Sequence, residues 1–233
     1  MLIVAALLVM ADGYLCSYKM EAIYTDSYDM LVRCVAQAVA RLFQNDSTLL
    51  KIKAHEIAIN HRIAMYLERY FQLKDPKTKR NVLSMDLEYN RVVPSNPLAE
   101  KGTHTVLTFE YYDLDEKIVY LEKDVRPDIV VHERGSGHHN ILWIETKLGS
   151  DSAVCRDDRA KVFYACTQLG FEIGIALLIN YPDRMLTIYM VVQEGVTTTY
   201  EFDMSDEEAV LLYKHEQYGD RPEPKNLNIL FQR

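Results

Sequence analysis

The chain has 233 residues, of which 48% are hydrophobic and 26% are charged, the balance of a globular protein with a buried core. Its 26 Lys and Arg residues stand against 34 Asp and Glu residues, and the formal net charge of −8 argues against a protein that coats nucleic acid through bulk charge. The four cysteines show no CxxC spacing, so we expect free thiols in a reducing cytoplasm and no zinc site.

The N-terminal ten residues, MLIVAALLVM, form an apolar segment that is too short to span a bilayer. No Lys or Arg precedes them, so a secretory signal would lack its positively charged start. We expect a buried strand or helix here, and a processed signal peptide is the alternative. No other stretch of the sequence is predicted to cross a membrane.

Two helices are predicted next. Apolar residues at three- and four-residue steps predict one helix from Ser27 to Asn45. Asn45-Asp46-Ser47 breaks it and can cap a second helix that runs to about Leu73. Glu56 lies on the apolar face of the second helix, one turn before Ile59. An acid in that place either follows the favourable field of a helix N-terminus or approaches a functional site.

Residues 82 to 90 alternate between apolar and polar and predict a half-buried strand. The polar face of this strand carries Asp86 and Glu88, which either face water or join an acidic cluster. Prolines and a glycine then predict a loop, and residues 106 to 112 fit a helix and a strand equally well.

Two short apolar strands meet at a glycine-rich turn in RPDIVVHERGSGHHNILWIETKL, residues 126 to 148. Folding about Gly137 places Asp128 opposite roughly residue 146, because paired strands run antiparallel from the turn. Glu145 and Lys147 share one face of their strand, with Thr146 on the other. Two carboxylates and one ammonium therefore meet at one end of the hairpin, a set that can hold a divalent metal. The alternative is a solvated strand edge, since Glu-x-Lys and Pro-Asp also arise by chance.

A helix from Arg156 to Leu169 follows the hairpin, and then come apolar strands over residues 173 to 180 and 185 to 192. Ser205 and Glu208 have the spacing of a capping box and predict a last helix. Three polar residues on the 156–169 helix are candidates for accessory roles, namely Asp158, Lys161 and Gln168. Asp158 and Lys161 would otherwise form an ordinary i,i+3 ion pair.

Pro127-Asp128 together with Glu145-Thr146-Lys147 resembles the PD-(D/E)xK nuclease superfamily. The resemblance implies an α/β (α+β) fold with a restriction-endonuclease-like αβββαβ core, in which helices flank a central mixed sheet. The order of elements read from the periodicity agrees with that core, which would cover residues 51 to 193. An N-terminal helical extension, residues 1 to 50, and a C-terminal helix and tail, residues 194 to 233, fall outside it.

The resemblance implies metal-dependent hydrolysis of phosphodiester bonds in nucleic acid, with DNA as the expected substrate and Mg²⁺ or Mn²⁺ as the cofactor. Asp128, Glu145, Glu56 and the Thr146 carbonyl would bind metal, and Lys147 would act on the attacking water. Four further residues would be accessory: Asp158, Lys161, Gln168 and Glu88. Four arginines would contact the nucleic acid: Arg91, Arg126, Arg134 and Arg159.

Two other functions stay open. A catalytically silent protein with the same fold would act as a binding or interaction module, because a fold does not fix a function. An unrelated α/β interaction protein would carry the motif by chance. Nucleic acid is the expected partner and a membrane is not, and the sequence leaves open whether a single chain or a homodimer acts.

Overall fold

A computed structural model of the protein describes residues 23–71, 83–88, 105–113, 115–133, 140–149, 156–192, 195–217 and 222–226. Met1 to Met10, the apolar segment discussed above, lies outside these ranges. None of the helices in the described ranges is long and apolar enough to span a membrane.

Within the described residues, three helices come before the first strand: α1 (Ile23–Asn45), α2 (Ser47–Lys51) and α3 (Glu56–Glu68). The helix predicted from Ser27 to Asn45 corresponds to α1 and is confirmed. The second predicted helix, from about Ser47 to Leu73, is interrupted at residues 52 to 55, where Lys53 has a left-handed backbone (φ 50°), and it ends at Glu68 as α3. Helix α3 has Glu56 in its first turn, and His55 at the N-cap accepts a hydrogen bond from the Ile57 amide. The N-cap at His55 therefore sets where α3 begins and places Glu56 in its first turn.

A seven-stranded mixed sheet forms the centre of the molecule, as the predicted fold class requires. Its strands in spatial order are β1 (Ser84–Leu87), β4 (Ile129–His132), β5 (Asn140–Leu148), β6 (Ile173–Asn180), β7 (Met185–Val192), β8 (Thr197–Asp203) and β9 (Val210–Gln217). Only β5 and β6 are parallel, and α4 (Arg156–Leu169) connects them. From α3 to β6 the main sheet is therefore built in the predicted order of helix, three antiparallel strands, helix and parallel strand.

A smaller sheet is inserted between β1 and β4. It consists of the antiparallel pair β2 (Val106–Tyr112) and β3 (Ile118–Asp124), with β10 (Lys225–Asn226) parallel to β2. Residues 106 to 112, which fitted a helix and a strand equally well, form a strand. The pairing with β3 decides the matter, because strand formation depends on partners that a local pattern does not reveal.

Helices cover both faces of the main sheet. Helices α1 and α3 pack on one face, against a core that includes Ile144 and Ile188, while α4 packs on the other, around Trp143 and Val162. Gly174 on β6 permits the close approach of α4, because a Cβ there would lie 2.7 Å from the Val162 carbonyl oxygen. The polar end of β5 thus lies between a helix on each side.

The predicted C-terminal helix is wrong. Val210–Gln217 form the edge strand β9, paired with β8, and residues 205 to 208 form bends. The Ser205 amide donates to the Asp203 carboxylate at 2.8 Å, so the apparent cap belongs to a turn between two strands. The capping-box pattern is only a local preference, and pairing with β8 outweighs it.

Candidate functional site

The register of β4 and β5 brings the two predicted acidic motifs together. Ile129 pairs with Ile144, so Asp128, one residue earlier, is level with Glu145. The Asp128 Oδ2 atom accepts a hydrogen bond from the Thr146 amide at 2.7 Å. The predicted opposition of Asp128 and residue 146 is therefore confirmed, and the acid that precedes β4 contacts the end of β5 directly.

Glu145 is a buried carboxyl group with a donor on each oxygen. Its residue is 2% exposed, Oε1 accepts from Trp143 Nε1 at 2.8 Å, and Oε2 accepts from Lys161 Nζ at 2.7 Å. Burial raises the pKa of Glu145 to about 8, against the opposing effect of the Lys161 charge. Glu145 consequently holds a proton more tightly than an ordinary carboxyl group. A further cation beside it would stabilise the ionised form, as the Lys161 charge does.

Asp128 is a second carboxyl group whose pKa is raised, although it is less buried than Glu145. Burial raises its pKa, while the Thr146 amide and the charge of Lys161 act to lower it. The negative charges of Glu56 and Asp158 raise the pKa further, and Asp128 has the same effect on Glu145. The four carboxyl groups therefore form one electrostatic cluster, although they come from four different elements of the chain.

Lys161 on α4 lies inside this cluster. Its ammonium contacts Glu145 Oε2 at 2.7 Å and Asp158 Oδ1 at 3.1 Å, so it links α4 to β5. Burial acts to lower the pKa of Lys161, but the charges and hydrogen bonds of Glu145 and Asp158 outweigh it and raise that pKa. The expected accessory pair Asp158 and Lys161 is thus brought against the predicted metal ligand.

Lys147 faces the other carboxyl group that the sequence singled out. Its Nζ lies 3.1 Å from Glu56 Oε1, which joins the end of β5 to the first turn of α3. Partial burial acts to lower the pKa of Lys147, but the hydrogen bond and charge of Glu56 outweigh it and raise the pKa. Lys147 is therefore an ammonium at neutral pH, on the more open side of the cluster.

The remaining sequence candidates lie farther from the cluster. Gln168 hydrogen-bonds the backbone of Thr108 on β2, at 2.9 Å and 2.8 Å, two helical turns beyond Lys161. Glu88 is exposed, and only its backbone amide approaches Asp128, with 3.4 Å to the carbonyl oxygen. The Arg159 guanidinium lies over the Tyr189 ring.

Among the other proposed nucleic-acid contacts, Arg126 is exposed just ahead of Pro127. Arg91 and Arg134 lie outside the described residues. Asp86, an alternative member of the acidic cluster, instead contacts His132 at 2.9 Å. The structure thus gathers seven candidates, whereas the described contacts of Gln168, Arg159 and Asp86 lie elsewhere. The seven are Asp128, Glu145, Thr146, Lys147, Glu56, Asp158 and Lys161.

Sequence reasoning missed Trp143 as part of the site. Its indole donates to Glu145 Oε1, and it is the only tryptophan in the chain. A signal was available, because residues two apart on a strand share a face. The spacing of Trp143 and Glu145 could therefore have suggested an indole beside the acid.

The donor types suit a hard divalent cation, because Mg²⁺ and Mn²⁺ prefer carboxylate oxygens. Within the described ranges, however, no three His, Cys, Asp or Glu side chains are close enough together to hold one metal ion. The ammonium of Lys161 lies between Glu145 and Asp158 instead. The donor types therefore suit a divalent metal, but in the described structure the Lys161 ammonium is the cation that contacts Glu145 and Asp158.

Comparison with known proteins returned no match, whether with protein-family models, with curated proteins or with solved structures. The description of the site accordingly rests on its own contacts. Those contacts join buried carboxyl groups and two ammonium groups at one end of a hairpin.

Proposed function

We propose that this chain hydrolyses phosphodiester bonds of nucleic acid, with DNA as the expected substrate, in a metal-dependent reaction of the PD-(D/E)xK type. The observation that carries the proposal is the hydrogen bond from the Thr146 amide to Asp128, which joins the Pro-Asp motif to the Glu-Thr-Lys motif. The order of α3, β1, β4, β5, α4 and β6 supports it, because that order fits a restriction-endonuclease-like core.

Asp128 and Glu145 would hold the metal, with the Thr146 carbonyl and Glu56 as the further expected ligands. When bound, Mg²⁺ or Mn²⁺ lowers the pKa of a water ligand and neutralises charge that develops on the phosphate. The raised pKa values of Asp128 and Glu145 support this role, since buried carboxyl groups that resist ionisation are stabilised by an added cation.

Lys147 would stabilise negative charge and orient the attacking water. Because Glu56 raises its pKa, Lys147 keeps its proton at neutral pH and suits charge stabilisation better than proton abstraction. Glu56, 3.1 Å from the Lys147 ammonium, holds this lysine beside the cluster and would bind the metal or a water on it.

An open groove of about 730 Å³ runs along α3 from Ile57, the residue after Glu56. The charged side chains that line it are Asp46, Arg62 and Glu88, and Arg62 pairs with Asp46 at 3.4 Å, so the groove has no excess of positive charge. Exposed Arg126 lies on the segment that leads into Asp128. Arg126 therefore supports the approach of a polyanionic substrate toward the acidic cluster.

A second candidate function is a catalytically silent protein that binds a partner through the same fold. The observation that favours it is that both oxygens of Glu145 accept hydrogen bonds from side chains of the chain itself. In a silent protein Lys161 would replace the metal permanently, and the cluster would serve only to hold α4 on the sheet.

Cleavage assays separate the two functions. Supercoiled plasmid, single-stranded DNA and RNA are incubated with the full-length protein and Mg²⁺, Mn²⁺ or a chelator. We expect metal-dependent cleavage that falls about a hundredfold or more in Asp128→Asn and in Lys147→Ala. Asp115→Asn is the matched control, because Asp115 pairs with Lys117 at the surface, 3.9 Å away.

Cleavage that is equal in the wild type and Asp128→Asn would come from a contaminating nuclease and would contradict the proposal. A wild-type protein that cleaves none of the three substrates with either metal would favour the silent function instead.

A further inference from the structure

The ammonium of Lys161 is positioned where an added cation would bind. It lies 2.7 Å from Glu145 Oε2 and 3.1 Å from Asp158 Oδ1, and both acids are buried, at 2% and 7% exposure. Its charge also acts on Asp128. One lysine therefore supplies positive charge to three carboxyl groups that belong to three elements.

Both oxygens of Glu145 already have a donor. Trp143 donates to Oε1, and the Trp143 ring packs on Phe171 with the ring centroids 5.2 Å apart, so this donor is held by the core. Lys161 donates to Oε2 from a partly exposed side chain. Oε2 is therefore the oxygen whose partner can be exchanged, and a metal ion that binds it meets the Lys161 ammonium.

We propose that Lys161 is a built-in competitor for the metal, whose ammonium must leave Glu145 Oε2 before a divalent cation binds there. This inference rests on the proposed function. Lys161 is a positioning residue in this scheme, and it sets the affinity of the site for metal.

The surroundings of Lys161 provide a second place for the displaced ammonium. Asp158 lies one turn before Lys161 on α4 and contacts the ammonium independently of Glu145. The Lys161 side chain is 31% exposed, so it has access to solvent. The lysine can therefore leave Glu145 and still keep one carboxylate partner, which makes exchange with a metal feasible without unfolding the helix.

Metal binding to the full-length protein tests the inference. Trp143 is the only tryptophan and donates to Glu145, so its fluorescence, and the luminescence of Tb³⁺ excited through it, report binding at this carboxyl group. Mg²⁺, Mn²⁺ and Tb³⁺ are titrated into the wild type, Lys161→Met, Lys161→Gln and Lys161→Arg. We expect Lys161→Met and Lys161→Gln to bind these ions at least about tenfold more tightly than the wild type does, and Lys161→Arg to bind them as the wild type does.

Lys214→Met is the matched control. Lys214 contacts the Asp29 carboxylate at 2.7 Å and 2.8 Å on β9, at the far edge of the same sheet. Its removal takes away one lysine and the same overall charge but leaves Glu145 Oε2 occupied. The metal affinity of this variant should match that of the wild type.

Lys161→Gln retains an amide that can donate to both acids, so it tests the loss of charge if Lys161→Met does not fold. Equal affinity in the wild type, Lys161→Met and Lys161→Gln would overturn the inference and leave the proposed function standing. An absence of binding in every variant, including the wild type, would overturn the proposed function as well.

Discussion

Two lysine–carboxylate contacts at different places on the main sheet have the same length and different consequences. Lys161 approaches Glu145 to 2.7 Å on the α4 face, and Lys214 approaches Asp29 to 2.7 Å at the β9 edge. The side chains of Lys214 and Asp29 are 36% and 37% exposed, whereas that of Glu145 is only 2% exposed. The two lysines are similarly exposed, at 31% and 36%, so the burial of the carboxyl group, and not the distance, separates the two pairs.

The exposed pair ties secondary structure together. Asp29 on α1 also accepts a hydrogen bond from Tyr200 on β8 at 2.7 Å, so Asp29 connects the helix to β8 and β9. Exposed ion pairs contribute at most about 1 kcal/mol, because water screens them. The buried pair is costly to form and more costly to break, which is typical of a site kept for chemistry.

Removing each lysine tests this contrast most strongly. Lys161→Met should lower the free energy of unfolding by about 2 kcal/mol, because it leaves Glu145 Oε2 and Asp158 Oδ1 buried without their donor. Lys214→Met should lower it by less than about 1 kcal/mol. Urea denaturation measures both, and equal losses would show that burial does not distinguish the pairs.

The pH dependence of stability gives a second test. Folded Glu145 keeps its proton to about pH 8, while the unfolded chain releases it near its ordinary pKa of 4.5. Between these values the unfolded state binds fewer protons, so stability without metal should fall as the pH rises, by more than about 1 kcal/mol. The decline should be shallower in Glu145→Gln, and parallel curves for the two proteins would contradict the assignment.

Loss of a single hydrogen bond should have the smallest effects. Trp143→Phe leaves the buried Glu145 Oε1 without its donor and should cost about 1–2 kcal/mol of unfolding free energy. Tyr200→Phe should cost about 0.5–1 kcal/mol, since Asp29 keeps Lys214 and reaches water. Thermal unfolding of both variants checks the order, and a larger loss in Tyr200→Phe would reverse the comparison.

Local patterns in the sequence were enough to predict the hairpin and its end. The strand alternation and the glycine turn placed Asp128 opposite roughly residue 146, and the Asp128–Thr146 hydrogen bond agrees. Local patterns also predicted α1, α4, part of α3, and the strands β1, β4, β5, β6 and β7 in their order along the chain. When two strands are joined by a short turn, the local sequence pattern is enough to predict that they pair.

Contacts between distant elements could not be predicted in this way. Lys161 and Asp158 had the spacing of an ordinary helix pair, and nothing in that spacing revealed Glu145 as a shared partner. Gln168 had the appearance of a site residue, yet its amide completes the edge of β2. The capping-box spacing of Ser205 and Glu208 predicted a helix where the chain forms β9. The pairing of β9 with β8 depends on the packed sheet, so no local pattern could reveal it.

The most direct test of the metal site is a crystal of the full-length protein soaked in Mn²⁺ and measured for anomalous scattering. We predict a peak in contact with Asp128 and Glu145, with the Lys161 ammonium moved from Glu145 Oε2 toward Asp158. A fully soaked crystal with no peak at these two carboxyl groups, and with Lys161 still on Glu145, would contradict the proposed function.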